Sequence, residues 1–415
     1  MVHSSTLRLL GPALLVTLAL VPATAVATTS SRASSHDRDA GARSTLAATS
    51  IPAWRLQSAV APPGAARGLL TRISCTSTRT CVAVGYRADA SGAERTLIEA
   101  RSGATWAIST SSDRPVPANV LTGVACPAAR RCVAVGSSST DGDVLAALTE
   151  VQVGAGWAVA GVALVRGTAW SELAQVACSS PSSCTAVGST ISHRVQSTLV
   201  ETWDGRHWHL HASPDAPGAI ASVLDAVSCP TARSCMAVGS STYASGATRA
   251  LVESWDGRAW RIVAFPAPSS TAPRAWSELS SVSCATAGSC VAVGDAATSA
   301  AKPFVALAAL WSARTWRLVA APQPVRSTRS PLLGVSCTTA RSCIAVGFSV
   351  IGPQTSTLIE RFDGTTWRFM AAPNLRGATL SRLSDVACTS AVTCTAAGFA
   401  GSGGHVQPLA LTTAP

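Results

Sequence analysis

The sequence predicts an all-β protein, a seven-bladed β-propeller with four-stranded blades. A phrase with two cysteines, separated by five residues, recurs seven times along the chain; it spans two short β-rich runs, and two more follow every copy but the last, which is followed by one. Repeats of about fifty residues with four strands each are typical of propeller blades. Helical repeats do not fit, because no stretch of the repeat region sustains an apolar stripe of helical period.

The cysteine phrase marks the first two strands of each predicted blade. One copy reads V-S-C-T-T-A-R-S-C-I-A-V-G, residues 335–347, and a leucine stands five residues before the first cysteine of every copy. Successive first cysteines are 51, 52, 51, 55, 53 and 51 residues apart. All 14 cysteines belong to these pairs: Cys75 and Cys81, Cys126 and Cys132, Cys178 and Cys184, Cys229 and Cys235, Cys284 and Cys290, Cys337 and Cys343, and Cys388 and Cys394.

These pairs are predicted to form one disulfide in each blade. Cysteines that face each other across a hairpin lie close enough to bridge. A zinc site needs four ligands, and a redox centre uses a single C-x-x-C pair, whereas the C-x5-C spacing recurs without accompanying histidines. Each bridge stabilises its hairpin by about 2 kcal/mol in the chain-entropy model. An even number of regularly spaced cysteines indicates oxidising surroundings.

The third and fourth strands of each blade are predicted from an apolar triplet and a tryptophan-led segment. A turn such as W-D-G-R-H-W joins them, and its Asp-Gly pair supplies the positive φ of a tight turn. The triplet usually ends in glutamate, and these glutamates are expected to be structural, as partners of strand arginines. They are Glu99, Glu150, Glu201, Glu253 and Glu360.

The two ends of the repeat region complement each other. Residues 51–58 match a fourth strand with no first three strands before it, and the C-terminal segment matches a third strand and then stops. We expect the strand at Trp54 to pair with the strand at Leu409–Leu411 and to close the ring. Closure would remove an edge that could otherwise pair with another chain.

The remaining N-terminal segment predicts secretion. Residues 1–27 have the apolar stretch and A-V-A ending of a secretory signal peptide, and the stretch is too short to span a membrane. Residues 28–50 are rich in Ser, Thr and Ala and predict a disordered linker, and residues 51–415 form the propeller. No second hydrophobic span follows. We therefore expect a monomer that is secreted and extracellular or associated with the cell wall.

The net charge of +11 favours anionic partners, although a solvated basic surface is the simpler interpretation. The loops lack the interleaved aromatic residues that single-stranded nucleic acid requires, so we do not expect nucleic acid as a partner. The expected partner is a glycan, an anionic polymer or a protein. The sequence carries no nucleophile elbow or phosphate loop, so it predicts no catalytic residue and no cofactor.

A ligand is expected on the face that carries the variable loops between blades. Two blades depart from the repeat there, with T-A-W-S-E-L and R-A-W-S-E-L just before their first strands. The candidate ligand-binding residues, near the mouth of the central channel, are Trp170, Glu172, Trp276, Glu278 and Arg274. A tryptophan beside a carboxylate suits a sugar ring. The competing interpretation, which the usual burial of tryptophan favours, is that these side chains only pack between blades.

Three alternating histidines form a second departure from the repeat. His207, His209 and His211 could bind a metal ion from one face of a strand. The same positions in another blade hold Arg261 and Val263, which are expected to be ordinary exposed residues of an outer strand. We therefore expect no metal site.

The W-D-G-x-x-W turns resemble the Asp-box pattern S-x-D-x-G-x-T-W. Over residues 51–415 the chain resembles the Asp-box propellers, which include sialidases and photosystem-assembly factors, and it is similar to the secreted, cysteine-paired repeat proteins of actinobacteria. Sialidases use an arginine triad with a tyrosine nucleophile, and this chain offers only Tyr86 and Tyr243 and no evident triad. Two functions remain: a non-catalytic binding or scaffold propeller, and a glycoside hydrolase or lyase using Glu172 and Glu278.

Overall fold

The computed structural model describes residues 53–139, 144–163, 170–266, 275–297 and 303–413. Within these ranges all regular elements are β-strands, 28 in number, and they form one hydrogen-bonded sheet, which confirms the all-β prediction. No helix suited to crossing a membrane occurs in these ranges. The predicted signal peptide and linker lie outside the described residues.

The strands pair in groups of four, called units here, and each strand is antiparallel to the next. Unit 1 contains β2 (Arg67–Ser77), β3 (Thr80–Ala88), β4 (Glu94–Ser102) and β5 (Thr105–Ile108); unit 2 contains β6 (Ala118–Ala128), β7 (Arg131–Ser139), β8 (Leu145–Val153) and β9 (Gly156–Ala160). Unit 3 contains β10 (Trp170–Ser180), β11 (Ser183–Ser192), β12 (Val195–Trp203) and β13 (Trp208–His211); unit 4 contains β14 (Ala219–Thr231), β15 (Ser234–Tyr243), β16 (Thr248–Trp255) and β17 (Trp260–Ile262).

Units 5 to 7 continue the pattern. Unit 5 contains β18 (Trp276–Thr286), β19 (Ser289–Ala297), β20 (Val305–Ser312) and β21 (Thr315–Leu318); unit 6 contains β22 (Leu332–Thr339), β23 (Ser342–Ile351), β24 (Gln354–Phe362) and β25 (Trp367–Phe369). Unit 7 contains β26 (Leu380–Cys388), β27 (Cys394–Ser402), β28 (His405–Thr413) and the first strand of the chain, β1 (Trp54–Gln57). The number of strands fits seven four-stranded blades.

The two ends of the described repeat region meet in unit 7, as the sequence predicted. Strand β1 is antiparallel to β28, with Leu56 opposite Leu411 and Gln57 opposite Ala410. The first strands of the units contact one another in chain order, and β26 in turn contacts β2. Asp385 on β26 also accepts a hydrogen bond from the backbone N–H of Ile73 on β2, at 3.1 Å.

The seven predicted disulfides are all confirmed, and none of the 14 cysteines is free. Each joins the first two strands of one unit, with its Cα atoms 3.9 to 4.1 Å apart. In unit 5, for example, Cys284 lies directly opposite Cys290 in the antiparallel register. Seven disulfides are expected of proteins that reside in an oxidising, extracellular environment.

A β-bulge follows the repeat leucine in the first strand of every unit. The bulge brings the first strand close to the glycine of the A-V-G or A-A-G phrase in the second strand. A Cβ atom on Gly294, for example, would overlap the carbonyl oxygen of Glu278. The repeat glycine is therefore required by the close approach of two backbones.

The hydrophobic core lies between neighbouring units. The repeat leucines, such as Leu279 at 0% exposure, and the tryptophans that lead the fourth strands, such as Trp316 at 6%, are buried there. One core cluster combines Ala226 and Val252 of unit 4 with both of these residues of unit 5. Each four-stranded unit thus packs one of its faces against the next unit, as in a layered β structure.

Serine hydroxyls add polar contacts between units. The serine just before the first cysteine accepts a hydrogen bond from the backbone N–H of the first cysteine in the next unit, at 2.9 to 3.0 Å. These serines are Ser74, Ser228, Ser283 and Ser336. The other units have alanine at this position, so the contact supplements the apolar packing without being required by the repeat.

The third-strand glutamates hold the segment that leads into their own unit. Glu99 accepts a hydrogen bond from the backbone N–H of Val60, and Glu150 accepts one from the hydroxyl of Ser111. Glu201 and Glu253 make equivalent contacts with Ala163 and Ser213, and all five glutamates are 0% exposed. These contacts bear out a structural role for four of the glutamates, whereas both carboxylate oxygens of Glu360 lack a hydrogen-bond partner in the described ranges. The expected arginine partners are wrong, because none of the hydrogen-bond partners found in those ranges is an arginine.

Burial shifts the pKa of these glutamates upward. It raises the pKa of Glu99, Glu150, Glu201 and Glu253 to about 7 and that of Glu360 to about 8, from an ordinary value of 4.5. Between pH 4.5 and 7 the folded chain therefore binds more protons than the unfolded chain. By linkage, the free energy of unfolding falls as the pH rises through this window.

We predict that the folded protein is more stable at pH 5 than at pH 8. The melting temperature, measured by circular dichroism with the disulfides intact, is expected to be higher at pH 5 by at least about 5 °C, since several buried carboxyl groups titrate together. Replacing Glu99 and Glu201 together with glutamine should reduce this difference. A melting temperature that is equal at the two pH values, or higher at pH 8, would contradict the assignment.

Candidate functional site

The first strands of the units surround a space, called the channel here, and two repeat positions place side chains at it. One is the residue six before the first cysteine, and the other directly follows the repeat glycine on the second strand. In unit 5 these are Glu278 and Asp295, which lie opposite each other; in unit 7 they are Arg382 and Phe399. Directly opposite residues of an antiparallel pair point to the same face, so their side chains meet.

Carboxyl groups of units 3, 4 and 5 form one wall of the channel. Asp225 on β14 lies between Glu172 on β10 and Glu278 on β18, and its charge raises the pKa of both glutamates. Burial raises the pKa of Glu172 to about 7 and that of Asp225 to about 6. These two carboxyl groups therefore change charge close to neutral pH.

Glu278 and Asp295 act as a pair within this wall. Asp295 is 0% exposed, and burial raises the pKa of both carboxyl groups. The charge of Asp295 raises the pKa of Glu278 further, because two adjacent buried carboxylates repel each other. At neutral pH the pair therefore holds one proton, with Glu278 the protonated member.

Arginines and phenylalanines form the opposite wall, from units 5, 6 and 7. The guanidinium carbon of Arg329 lies 5.3 Å from the ring centre of Phe304 and 5.9 Å from that of Phe348. The guanidinium carbon of Arg382 lies 4.6 Å from Phe348 and 5.8 Å from Phe399. Cations over aromatic faces at these distances are attracted by the ring quadrupole. A terminal nitrogen of Arg329 also lies 3.6 Å from a carboxylate oxygen of Asp295, which joins the two walls.

Arg72 crosses the channel below these walls. It comes from β2 in unit 1, yet its guanidinium reaches 3.5 Å from the carbonyl oxygen of Ser280 in unit 5. Its positive charge lowers the pKa of Asp225 and Asp385, opposing the larger upward effect of burial on each. Arg72 is therefore the central counter-charge for two acids on different units.

The candidate residues from the sequence fall on both sides of this space. The ring of Trp276 packs edge-on against Phe304, with 6.1 Å between ring centres, and so extends the aromatic wall. Trp170 lies half-buried at the start of β10, two residues before Glu172. Glu172 and Glu278 are brought to a common neighbour, Asp225, as described above. Arg274 lies outside the described residues.

Several polar atoms at the channel have no hydrogen-bond partner within the described ranges. They are the Nε atoms of Arg72, Arg329 and Arg382 and the indole nitrogen of Trp276. Buried polar groups are normally hydrogen-bonded, and leaving one unpaired costs about 1–3 kcal/mol. The channel thus holds buried donors whose hydrogen bonds are not made by the described protein atoms.

The turns beside the disulfides are satisfied by contrast. The carboxylate of Asp363 accepts hydrogen bonds from the backbone N–H groups of Thr365 and Thr366, each at 2.9 Å. Asp256 makes the same pair of contacts in unit 4. The turn aspartates are therefore satisfied, whereas the indole nitrogens of Trp208 and Trp260, which follow these turns, are buried without a partner in the described ranges.

The three histidines do not converge. His209 bonds to Asp204 at 2.8 Å, and His211 bonds to Thr202 at 2.8 Å. The backbone N–H of His207 donates to Asp204 at 2.7 Å from within the turn, before β13 begins. In the part of the chain that the structure describes, no group of three metal-ligating side chains is found.

Sequence reasoning missed Arg72, Asp225, Asp295, Arg382 and Asp385. Comparison of the repeats offers a signal for Asp295, because the residue after the repeat glycine is Ser, Tyr or Phe in the other units. The other residues occupy positions that vary from unit to unit. Their convergence depends on the geometry of the first strands, which no single repeat reveals.

No protein-family model and no curated protein matches the sequence of this chain. Solved structures do match its fold. The structure of YCF48 bound to D1 peptide aligns with a TM-score of 0.51 and 12% identity, over 88% of this chain and 98% of that chain. This similarity shows that the chain has a β-propeller fold.

Two further solved structures are less similar. The GH74 xyloglucanase from Xanthomonas campestris aligns with a TM-score of 0.49 and 14% identity, over 86% of this chain and 55% of that chain. The fucose-specific lectin from Aleuria aurantia aligns with a TM-score of 0.44 and 14% identity, over 74% of this chain and 97% of that chain. At these identities and TM-scores neither comparison bears on function.

We predict that Glu278→Gln raises the melting temperature at pH 8 more than at pH 5. Glutamine is neutral at both pH values, whereas Glu278 must be kept protonated beside Asp295 as the pH rises. The measurement is thermal unfolding of both proteins at the two pH values. Asp89→Asn is the control and should change the melting temperature equally at the two pH values, because hydrogen bonds from Ser91 and backbone N–H groups lower the pKa of Asp89 and keep it ionised throughout this range. An equal effect of Glu278→Gln at both pH values would contradict the shared proton.

Proposed function

We propose that this chain is a secreted seven-bladed β-propeller of the Asp-box-like, cysteine-paired type found in actinobacteria. In this proposal residues 1–27 are a signal peptide, residues 28–50 a linker and residues 51–415 the propeller, with each unit as one blade. The ring is closed by β1. The disulfides support an extracellular location, since they persist in oxidising surroundings.

Several contacts support the closed ring. Backbone pairing of β1 with β28 completes the last unit from the first strand of the chain. Apolar side chains of unit 1, including Leu70 and Trp106, share one core cluster with Ala397 and Ala410 of unit 7. The turns support the Asp-box-like assignment, because the aspartate of each W-D-G or F-D-G turn accepts backbone hydrogen bonds within the turn.

The function that we propose is non-catalytic binding of an extracellular glycan at the channel mouth. The observation that carries it is the position of Trp276, half-buried against Phe304 and beside the carboxyl groups of Glu278 and Asp295, with an indole N–H that lacks a partner within the described ranges. An apolar ring face with a few convergent polar groups is typical of small-ligand sites. A sugar ring offers an apolar face and hydroxyl groups to match. An anionic wall polymer or a protein segment with similar groups would use the same surface.

The alternative is a glycoside hydrolase or lyase. Such enzymes pair a carboxylic acid with an ionised carboxylate, and the channel carboxyl groups differ in pKa in the required way. Glu278 would be the proton donor, and Glu172 or Asp225 the base. Binding alone remains our proposal, because the protonated Glu278 is committed to Asp295 and the other wall is cationic.

The test is a binding screen of the oxidised protein against neutral and acidic oligosaccharides and wall polymers. For any ligand found, Trp276→Ala is expected to weaken binding at least about tenfold, the equivalent of 1.4 kcal/mol. Trp255→Ala is the matched control. Trp276 pairs with Thr248 at the start of β16, whereas Trp255 lies at the other end of that strand. Equal affinity of wild type and Trp276→Ala would overturn the proposed site.

The same samples distinguish binding from catalysis. Reducing-end release is measured over a long incubation with wild type and with Glu172→Gln/Glu278→Gln. We expect no release by either protein. Release by wild type that the double variant abolishes would instead establish the hydrolase and refute the non-catalytic proposal.

A further inference from the structure

Arg329 and Arg382 face the same aromatic ring from two different units. Both guanidinium carbons lie within 6 Å of the centre of Phe348, as given above. The positive charge of Arg329 disfavours the charged form of Arg382, so the two groups repel each other. Like charges that are held together in a protein interior need a counter-ion.

Within the described ranges only one acid, Asp295, forms an ion pair with either arginine. No hydrogen bond or ion pair to Arg382 is found among the described residues, and the Nε atoms of both arginines are buried without a partner there. The nearest acid, Asp295, is 3.6 Å from Arg329 and is shared with Glu278. Arg72 adds a third positive charge that also disfavours the charged form of Arg382.

The site remains open to solvent on the side of Arg329. The side chain of Arg329 is 39% exposed, whereas that of Asp295 is 1% exposed. A small ion could therefore reach the guanidinium edges without opening a blade. Guanidinium groups present planar, paired N–H donors that match the oxygens of phosphate, sulfate and carboxylate groups.

We propose that the gap between the guanidinium groups of Arg329 and Arg382 binds one oxyanion, as a free ion or as an anionic group of a larger ligand. The anion would accept hydrogen bonds from the unpartnered N–H groups and would offset the repulsion between the two arginines. Phe304, Phe348 and Phe399 would hold the guanidinium planes in place by stacking. The proposal does not depend on glycan binding at Trp276.

Binding should strengthen as the pH falls. The titratable groups that face the two arginines are Asp295 and Glu278 of unit 5, with Arg72, Asp225 and Asp385 beyond them and Glu172 on the far wall. The acids of this set have a raised pKa, chiefly through burial, and lose their negative charge in mild acid. The arginines keep their positive charge. The channel therefore becomes more positive and attracts anions more strongly.

The test is titration of the oxidised protein with sodium sulfate at constant ionic strength, followed by isothermal calorimetry at pH 5.5 and pH 8. We expect saturable binding at pH 5.5 that is at least about tenfold weaker at pH 8, a difference of 1.4 kcal/mol. Arg382→Gln and Arg329→Gln are each expected to weaken it at least about tenfold. Arg258→Gln, an exposed arginine in a turn beside the disulfides, is the matched control and should bind like wild type.

Dextran sulfate, used in the same titration, distinguishes a free ion from an anionic group on a polymer. Binding of either probe supports the proposal if Arg382→Gln weakens it and Arg258→Gln does not. If the arginine variants do not fold, crystals of wild type soaked in selenate provide the test, with an anomalous peak expected between the two guanidinium groups. Absence of that peak, absence of binding by both probes, or equal loss in Arg258→Gln would overturn the proposal.

Discussion

The register between the first two strands of each unit is the constraint on which the channel depends. The cysteine pair fixes this register at one end of the hairpin, and the repeat glycine fixes it at the other by admitting the bulged first strand. A slip of one residue would turn every side chain to the opposite face of the sheet. Because the register holds, Glu278 meets Asp295 and Arg382 meets Phe399.

The same constraint separates the two ends of the units by their chemistry. At the disulfide end the chain is short and covalently joined, and the turn aspartates accept backbone hydrogen bonds. At the other end the loops vary in length, and charged side chains point into a space that protein atoms only partly fill. A rigid scaffold with an uncompensated polar surface at one end is the usual arrangement of a binding protein. The charges belong to several units, so no single repeat could carry the site.

The sequence predicted most of the fold because its determinants recur. Leucine, cysteine, glycine and tryptophan each have one geometric role per unit, and seven copies make the role visible. The pairing of β1 with β28 could be predicted for a related reason, since one unit lacks a strand that the chain has to spare. The partners of the third-strand glutamates could not, because Glu99 and Glu201 bind backbone N–H groups of variable segments. Because a backbone N–H does not depend on the type of side chain, the sequence gives no signal for such a partner.

The candidate site was predicted only in part for a different reason. Glu172 and Glu278 differ from the repeat and therefore stood out, whereas Arg72 and Asp225 occupy a bulge whose side chains vary among the units. Their contact crosses the channel, between residues more than a hundred positions apart in the chain, and depends on the radius of the whole assembly. Charged residues that are so far apart in the sequence become neighbours only when every unit has folded and packed.

The most direct test of the account is a disulfide map of the intact, non-reduced protein by proteolysis and mass spectrometry, together with titration of free thiols. The account predicts seven linkages, each between cysteines six positions apart in the chain, and no free thiol. Linkages between different units, or a substantial thiol count, would contradict it, because the register of the first hairpins would then be unfixed.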